Sequence, residues 1–138
     1  MRVAVLFFGG NRRERTAEIA RGLATGLEQA GHHVDVIDGD RDVNAKLTMY
    51  QFLAVGVSSI STFSGRIPGS VREYLGKAGM VGGKKSFAFV VNSVFGSQKA
   101  LRRLMGAMES EGMFVRSSDT LRSQEEAEAL ASRLKLST

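Results

Sequence analysis

Apolar positions along this chain fall into two kinds of run that alternate. Arg2 to Phe8 reads RVAVLFF, β-branched and aromatic with hardly a polar interruption, and it stops at Gly9-Gly10. Such a run predicts a strand buried on both faces, as a parallel sheet requires. The spacing then changes to four: Ile19, Leu23 and Leu27 recur on one side, joined by Ala20 and Ala30, and Gly31 follows as a stop. That is an amphipathic helix ended by glycine.

The same alternation continues to the end of the chain. His33 to Ile37 (HVDVI) is a short second strand, and 38–46 is polar and turn-rich, so a helix there is short and weak. Gln51 to Val57 (QFLAVGV) is a third strand. Ser58 to Gly65 is a serine-rich loop, and Pro68 stands where the first turn of a helix tolerates it. Val71, Leu75 and Ala78 are that helix's apolar stripe. Lys85 to Val91 (KSFAFVV) is the fourth strand, and Ala100, Leu101, Leu104, Met105 and Met108 line a strongly amphipathic helix closed by Gly112. Met113 to Arg116 is a short fifth strand. Ser123 and Glu126 form an S-x-x-E capping box before a helix with Ala127, Leu130 and Leu134 turned inward.

Strands alternating with helices predict a parallel sheet covered on both faces, a three-layer doubly wound α/β sandwich. The length of 138 residues suits one domain, 1–138. In such folds ligands bind at the carboxyl ends of the strands, near the point where strand order switches. Candidate chemistry is therefore sought in the loops after strands one, three and four.

Composition narrows the chemistry. Cysteine is absent, which removes disulfides, thiolate catalysis and cysteine–metal sites. The two histidines, His32 and His33, are adjacent and would point to opposite faces of a strand, so no metal site is expected. Lys and Arg total 19 against 14 Asp and Glu, a net charge of +5, which favours acidic ligands. No dense basic run with interleaved aromatics appears, so no nucleic-acid partner is expected. The N-terminal apolar run is too short for a signal peptide and nothing approaches a membrane span, so a cytoplasmic location with no membrane partner is expected.

The first loop, Gly9 to Thr16, is GGNRRERT. Its glycines let backbone turn sharply and approach a ligand, and the helix behind it aims free N–H groups and its positive end into the loop. Gly10, Asn11, Arg12, Arg13, Arg15 and Thr16 are the candidate anion-binding residues. A plainer alternative is that Asn11 caps the helix with Glu14 completing a capping box. The second loop places Ser59, Ile60, Ser61, Thr62, Phe63, Ser64 and Gly65 together, hydroxyls with one aromatic, suited to the edge and face of a flat polar ring. The third supplies Asn92, Ser93, Val94, Phe95 and Gly96. Phe63 and Phe95 fit either a ring wall or the core.

Taken together, these loops resemble the flavodoxin-like superfamily over nearly the whole chain. Gly10-Asn11-Arg12-Arg13-Glu14-Arg15-Thr16 is similar to the G-[ST]-x-R-x-x-[ST] phosphate loop of NAD(P)H-dependent FMN reductases, with Gly10, Arg13 and Thr16 on the matching positions and Asn11 in place of the first hydroxyl. Val55 to Leu75 resembles the flavodoxin-type G-x-P-x-Y-x-G-x-x-P stretch through Gly56, Phe63, Gly65 and Pro68. Gly96 is the clearest match in the third.

The resemblance implies the sheet order 2-1-3-4-5, FMN as cofactor with its phosphate on the first loop and its ring between the other two, and an oxidoreductase of the flavin or quinone reductase type. The basic balance of the chain makes NAD(P)H, with its anionic phosphates, or an acidic redox partner protein the expected other reactant, and a sheet edge or helix face could support a homodimer. No catalytic side chain is assigned, because the flavin carries the redox chemistry. A flavodoxin-type electron carrier and an interaction module that has lost flavin are the alternatives.

Overall fold

Why strands and helices alternate here is visible in which faces they bury. The computed structural model describes residues 1–58, 67–91 and 97–136. Five strands, β1 (Arg2–Phe8), β2 (His33–Asp38), β3 (Phe52–Ser58), β4 (Lys85–Val91) and β5 (Phe114–Leu121), form one all-parallel sheet in the order β2-β1-β3-β4-β5. This is the order expected from the sequence. β1, β3 and β4 lie inside the sheet, and their residues are buried on both faces almost without exception.

Helices α1 (Arg13–Gln29), α2 (Ser70–Lys77), α3 (Ser97–Ser110) and α4 (Gln124–Ala131) cover the sheet. One face of the sheet presents Val3, Val5, Phe52, Ala54, Phe87 and Phe89 to the apolar stripes of α1 and α4. The other presents Leu6, Leu53, Val55 and Val90 to Val71 and Leu75 of α2 and Leu101, Leu104 and Met108 of α3. Alternation of side chains along each strand separates the two cores.

α1 ends in the glycine-terminated geometry that Gly31 predicts. Gly31 takes φ +96°, its N–H donates to Glu28 O at 2.9 Å, and the N–H of His32 donates to Leu27 O at 3.1 Å. Two further glycines of α1 carry a packing role that the apolar spacing does not reveal. A Cβ on Gly22 would lie 2.4 Å from Gln124 O, and one on Gly26 would lie 2.5 Å from Ala131 Cβ. Their bare backbone is what lets α1 and α4 touch.

Four expectations need correction. Residues 39–51 form turns and no helix. The segment lacks an apolar stripe, and the Asp38 carbonyl collects the N–H groups of Arg41 and Asp42, closing a turn. Pro68 stands just ahead of α2 instead of in its first turn, with its carbonyl accepting from Val71 N–H. β5 runs to Leu121, well beyond Arg116. It is an edge strand with a largely exposed face, so its second half reads as polar loop. Ser86 faces Val115 but Phe87 faces Ser117, so Arg116 is a bulge residue with no opposite number, and it breaks the alternation further. At α4 the Ser123 hydroxyl accepts from Glu126 N–H at 3.0 Å, as the capping pattern predicts, but Leu134 lies past the helix end.

No helix among the described residues is long and apolar enough to cross a membrane.

Candidate functional site

Of the three loops at the carboxyl edge of the sheet, the one after β1 is described in full. β1 ends at Phe8, a 3-10 turn spans Gly10–Arg12, and α1 begins at Arg13. The two glycines do different work. A Cβ on Gly9 would lie 2.6 Å from Arg13 Cα and 3.2 Å from Thr16 Cβ, so glycine is needed for the turn to tuck under α1. Gly10 takes φ +55° and faces open space, with nothing within 4 Å of a Cβ built there. Close approach of a ligand to the backbone is thus available at Gly10.

The side chains of the loop are largely committed within the protein. Arg13 Nε donates to Asp38 Oδ2 at 2.6 Å, and Arg41 Nε lies 3.9 Å from the same oxygen. The Asp38 carboxylate is almost wholly buried at the end of β2. A charge-assisted bond of this kind contributes about 1.5–3 kcal/mol. Its other oxygen accepts from Asp40 N–H at 3.0 Å. The Asp40 carboxylate in turn accepts from Gly10 N–H at 3.1 Å and from the Ser70 hydroxyl at 3.0 Å. The sheet order explains this network: β2 lies beside β1, so the Asp38-Gly39-Asp40 turn meets the loop after β1.

Thr16 is buried, and its hydroxyl donates to Arg12 O at 2.8 Å. Arg15 donates to the Arg122 carbonyl and lies 3.9 Å from Glu18. Arg12 and Asn11 are exposed, and the Arg12 guanidinium has no ion-pair partner among the described residues. The α1 N-cap position is Arg12, with no side-chain cap, so Asn11 does not cap α1. Glu14 is exposed and lies 3.5 Å from Arg13 Nη1. The N-terminal end of α1 remains electropositive and uncapped by a side chain.

One polar atom at this edge lacks a partner. Ser58 ends β3 and is buried, and its hydroxyl has no hydrogen bond among the described residues. By alternation with Phe52 and Ala54 it belongs to the α1 face of the sheet, the side on which the β1–α1 turn lies. A buried hydroxyl without a bond costs about 1–3 kcal/mol, which a ligand acceptor or donor would recover.

Asp38 and Asp40 were not among the residues that the sequence marked, and Ser58 was read as the start of the serine-rich loop without being named a site residue. The signal for the two acids was the D-G-D turn at the end of the strand neighbouring β1, which becomes informative once the strand order is known. Ser59, Ile60, Ser61, Thr62, Phe63, Ser64 and Gly65, and Asn92, Ser93, Val94, Phe95 and Gly96, lie outside the described residues.

Three groups outside the β1–α1 loop have displaced pKa values. Tyr50 is pushed up to about 12, by burial first and then by its hydrogen bond to Asp35 at 2.7 Å. Tyr74 is raised by burial, with Asp42 adding to it. Lys84 is lowered by burial, with its ammonium donating to the carbonyls of Thr48 and Tyr50. None of the three belongs to the β1–α1 loop. Among the described residues no cluster of His, Cys, Asp and Glu could hold a metal ion.

A five-stranded parallel sheet ordered 2-1-3-4-5, with helices on both faces and a glycine turn after its first strand, is the flavodoxin-like fold. Solved structures agree with that assignment. Oxidised flavodoxin 1 from Bacillus cereus superposes with a TM-score of 0.71 at 18% identity, covering 94% of each chain. A short-chain flavodoxin associated with a PDU bacterial microcompartment gives 0.73 at 12% identity over 95% of each chain. A flavodoxin, WrbA-like protein from Agrobacterium tumefaciens gives 0.68 at 15% identity, covering 96% of this chain and 93% of that one. No protein-family model and no curated protein matches the sequence.

Proposed function

We propose that this chain binds FMN at the carboxyl edge of its sheet and acts as an oxidoreductase of the NAD(P)H-dependent flavin or quinone reductase type. The β1–α1 turn carries the reading: it joins a buried strand to an uncapped helix N-terminus, with an open left-handed glycine and exposed arginines around it. Helix N-termini with free N–H groups and cationic neighbours favour phosphate. The orphaned Ser58 hydroxyl fits a polar ligand on the same side. Fold similarity to proteins named flavodoxins supports flavin as that ligand.

In this reading Gly10, Asn11 and Arg12 would hold the phosphate, with Arg12 and Arg15 supplying positive charge. Thr16 holds the first turn of α1 through its bond to Arg12 O. Asp38 fixes Arg13 beside the loop. Asp40 would have to give up the Gly10 N–H for a phosphate to take it, since one N–H cannot serve both anions well. The loops 59–65 and 92–96 would supply the residues that hold the ring. Bound FMN would supply the hydride or electron transfer, and the chain's part is to hold and orient it.

A second reading has its own observation. The Asp40 carboxylate already satisfies Gly10 N–H, which favours a module that no longer takes flavin. Titration of the flavin-free protein with FMN and with riboflavin separates the two. Binding of FMN at least tenfold tighter than riboflavin supports the phosphate loop. Failure to bind FMN at high micromolar concentration leaves the flavin-free module.

A further inference from the structure

On the α4 side of the sheet, Ser117 and Asp119 of β5 are exposed, whereas Leu121 is buried. Both elements have eight residues. A strand of that length spans roughly 26 Å, whereas a helix spans only about 12 Å. Beside these exposed positions, Arg133, Leu134 and Lys135, just past α4, help to line an open groove of about 420 Å³.

The groove has an apolar floor and a cationic rim. Phe87 of β4, Leu130 of α4 and Leu134 just beyond it form the floor. Arg116, Arg133 and Lys135 stand around it, together with Ser117 and Ser118. None of these three cationic side chains has a hydrogen-bond or ion-pair partner among the described residues. The acid in the lining is Asp119, whose Oδ1 accepts from Thr120 N–H at 2.8 Å. Arg116 is the bulge residue of β5, and bulges re-aim side chains away from the regular alternation.

We propose that this groove is a second binding site, for a small organic anion. A flat apolar body rests on Phe87, Leu130 and Leu134, and a phosphate, sulfonate or carboxylate meets Arg116 and Arg133. Guanidinium groups pair with such oxyanions through two parallel N–H bonds. The volume lies within the range of small-molecule sites. An extended peptide pairing with the open edge of β5 fits less well, because a bulge and a charged residue are what blunt an edge strand against such pairing. The site is independent of the β1–α1 loop.

The test is an amide ¹H–¹⁵N NMR titration of the full chain with 1-naphthyl phosphate, with inorganic phosphate and naphthalene methanol as controls. Saturable shifts at 116–118 and 130–135, absent or much weaker with either control, are expected. The double variant Arg116→Ala, Arg133→Ala should raise the apparent Kd at least tenfold, with the melting temperature unchanged. Equal shifts with inorganic phosphate would reduce the groove to a general anion patch and overturn the proposal. So would shifts that survive the double variant, no shifts at all, or shifts confined to 10–16, which would assign the probe to the first loop.

Discussion

The β1–α1 loop and the β5–α4 groove are both basic, and they differ in who answers the charge. In the loop Arg13 is held by Asp38, Arg15 by the Arg122 carbonyl, and even Gly10 N–H by Asp40. In the groove Arg116, Arg133 and Lys135 go unanswered among the described residues. A count of arginines therefore separates the two poorly. The loop is preorganised, with partners that must be exchanged for a ligand. The groove is unencumbered and lacks any motif.

The largest effect that would break this contrast is steric. Gly9→Val places a methyl-bearing carbon against the Arg13 backbone, so α1 must shift. A loss of about 3 kcal/mol or more is expected, read as a fall in the urea midpoint, with FMN binding abolished. Gly10→Ala meets no atom and should cost only about 1 kcal/mol for its positive φ. Equal losses for the two would show that the turn is not built as described.

Next in size is a pH effect belonging to neither region. Tyr50 has its pKa raised from 10 to about 12, so the folded state prefers the protonated phenol. That preference is fully present below pH 10 and is lost as pH climbs from 10 through 12. The loss is at most about 2–3 kcal/mol. Chemical denaturation across that range should show it, and Tyr50→Phe should flatten the slope.

Smaller still is the exchange of anions. Asp40→Asn removes the internal carboxylate from Gly10 N–H and should tighten FMN binding about tenfold or less, since the pair is exposed. Arg12→Ala should weaken it by a similar factor. Calorimetric titration reads both. The smallest effect is expected from Arg116→Ala, which should leave FMN affinity within about twofold if the two regions are independent.

Much of this architecture was legible in the chain itself, for physical reasons. β1, β3 and β4 are interior strands, and burial on both faces makes them continuous apolar runs. Gly31 and Gly112 mark helix ends because only glycine adopts their positive φ freely. The edge strand β5 was cut short because its exposed positions are polar and its bulge breaks the alternation. Gly22 and Gly26 gave no signal, because a helix contact through bare backbone depends on where α4 lies.

At the site, the loop after β1 could be found by spacing, and its residues 10–16 do surround one turn. What could not be read was their occupancy. Asp38 and Asp40 are distant in sequence, and they reach the loop only because β2 pairs with β1. Ser58 read as loop because polarity begins there, although it is the buried last residue of β3.

The claim that the β1–α1 loop holds phosphate is tested most directly by the amide resonances of Gly10, Asn11, Arg12 and Arg13 during titration with FMN. The account predicts large saturable shifts at these four with FMN and little change with riboflavin, which lacks the phosphate. Binding of FMN that leaves those amides unmoved, or that moves them equally with riboflavin, would contradict it.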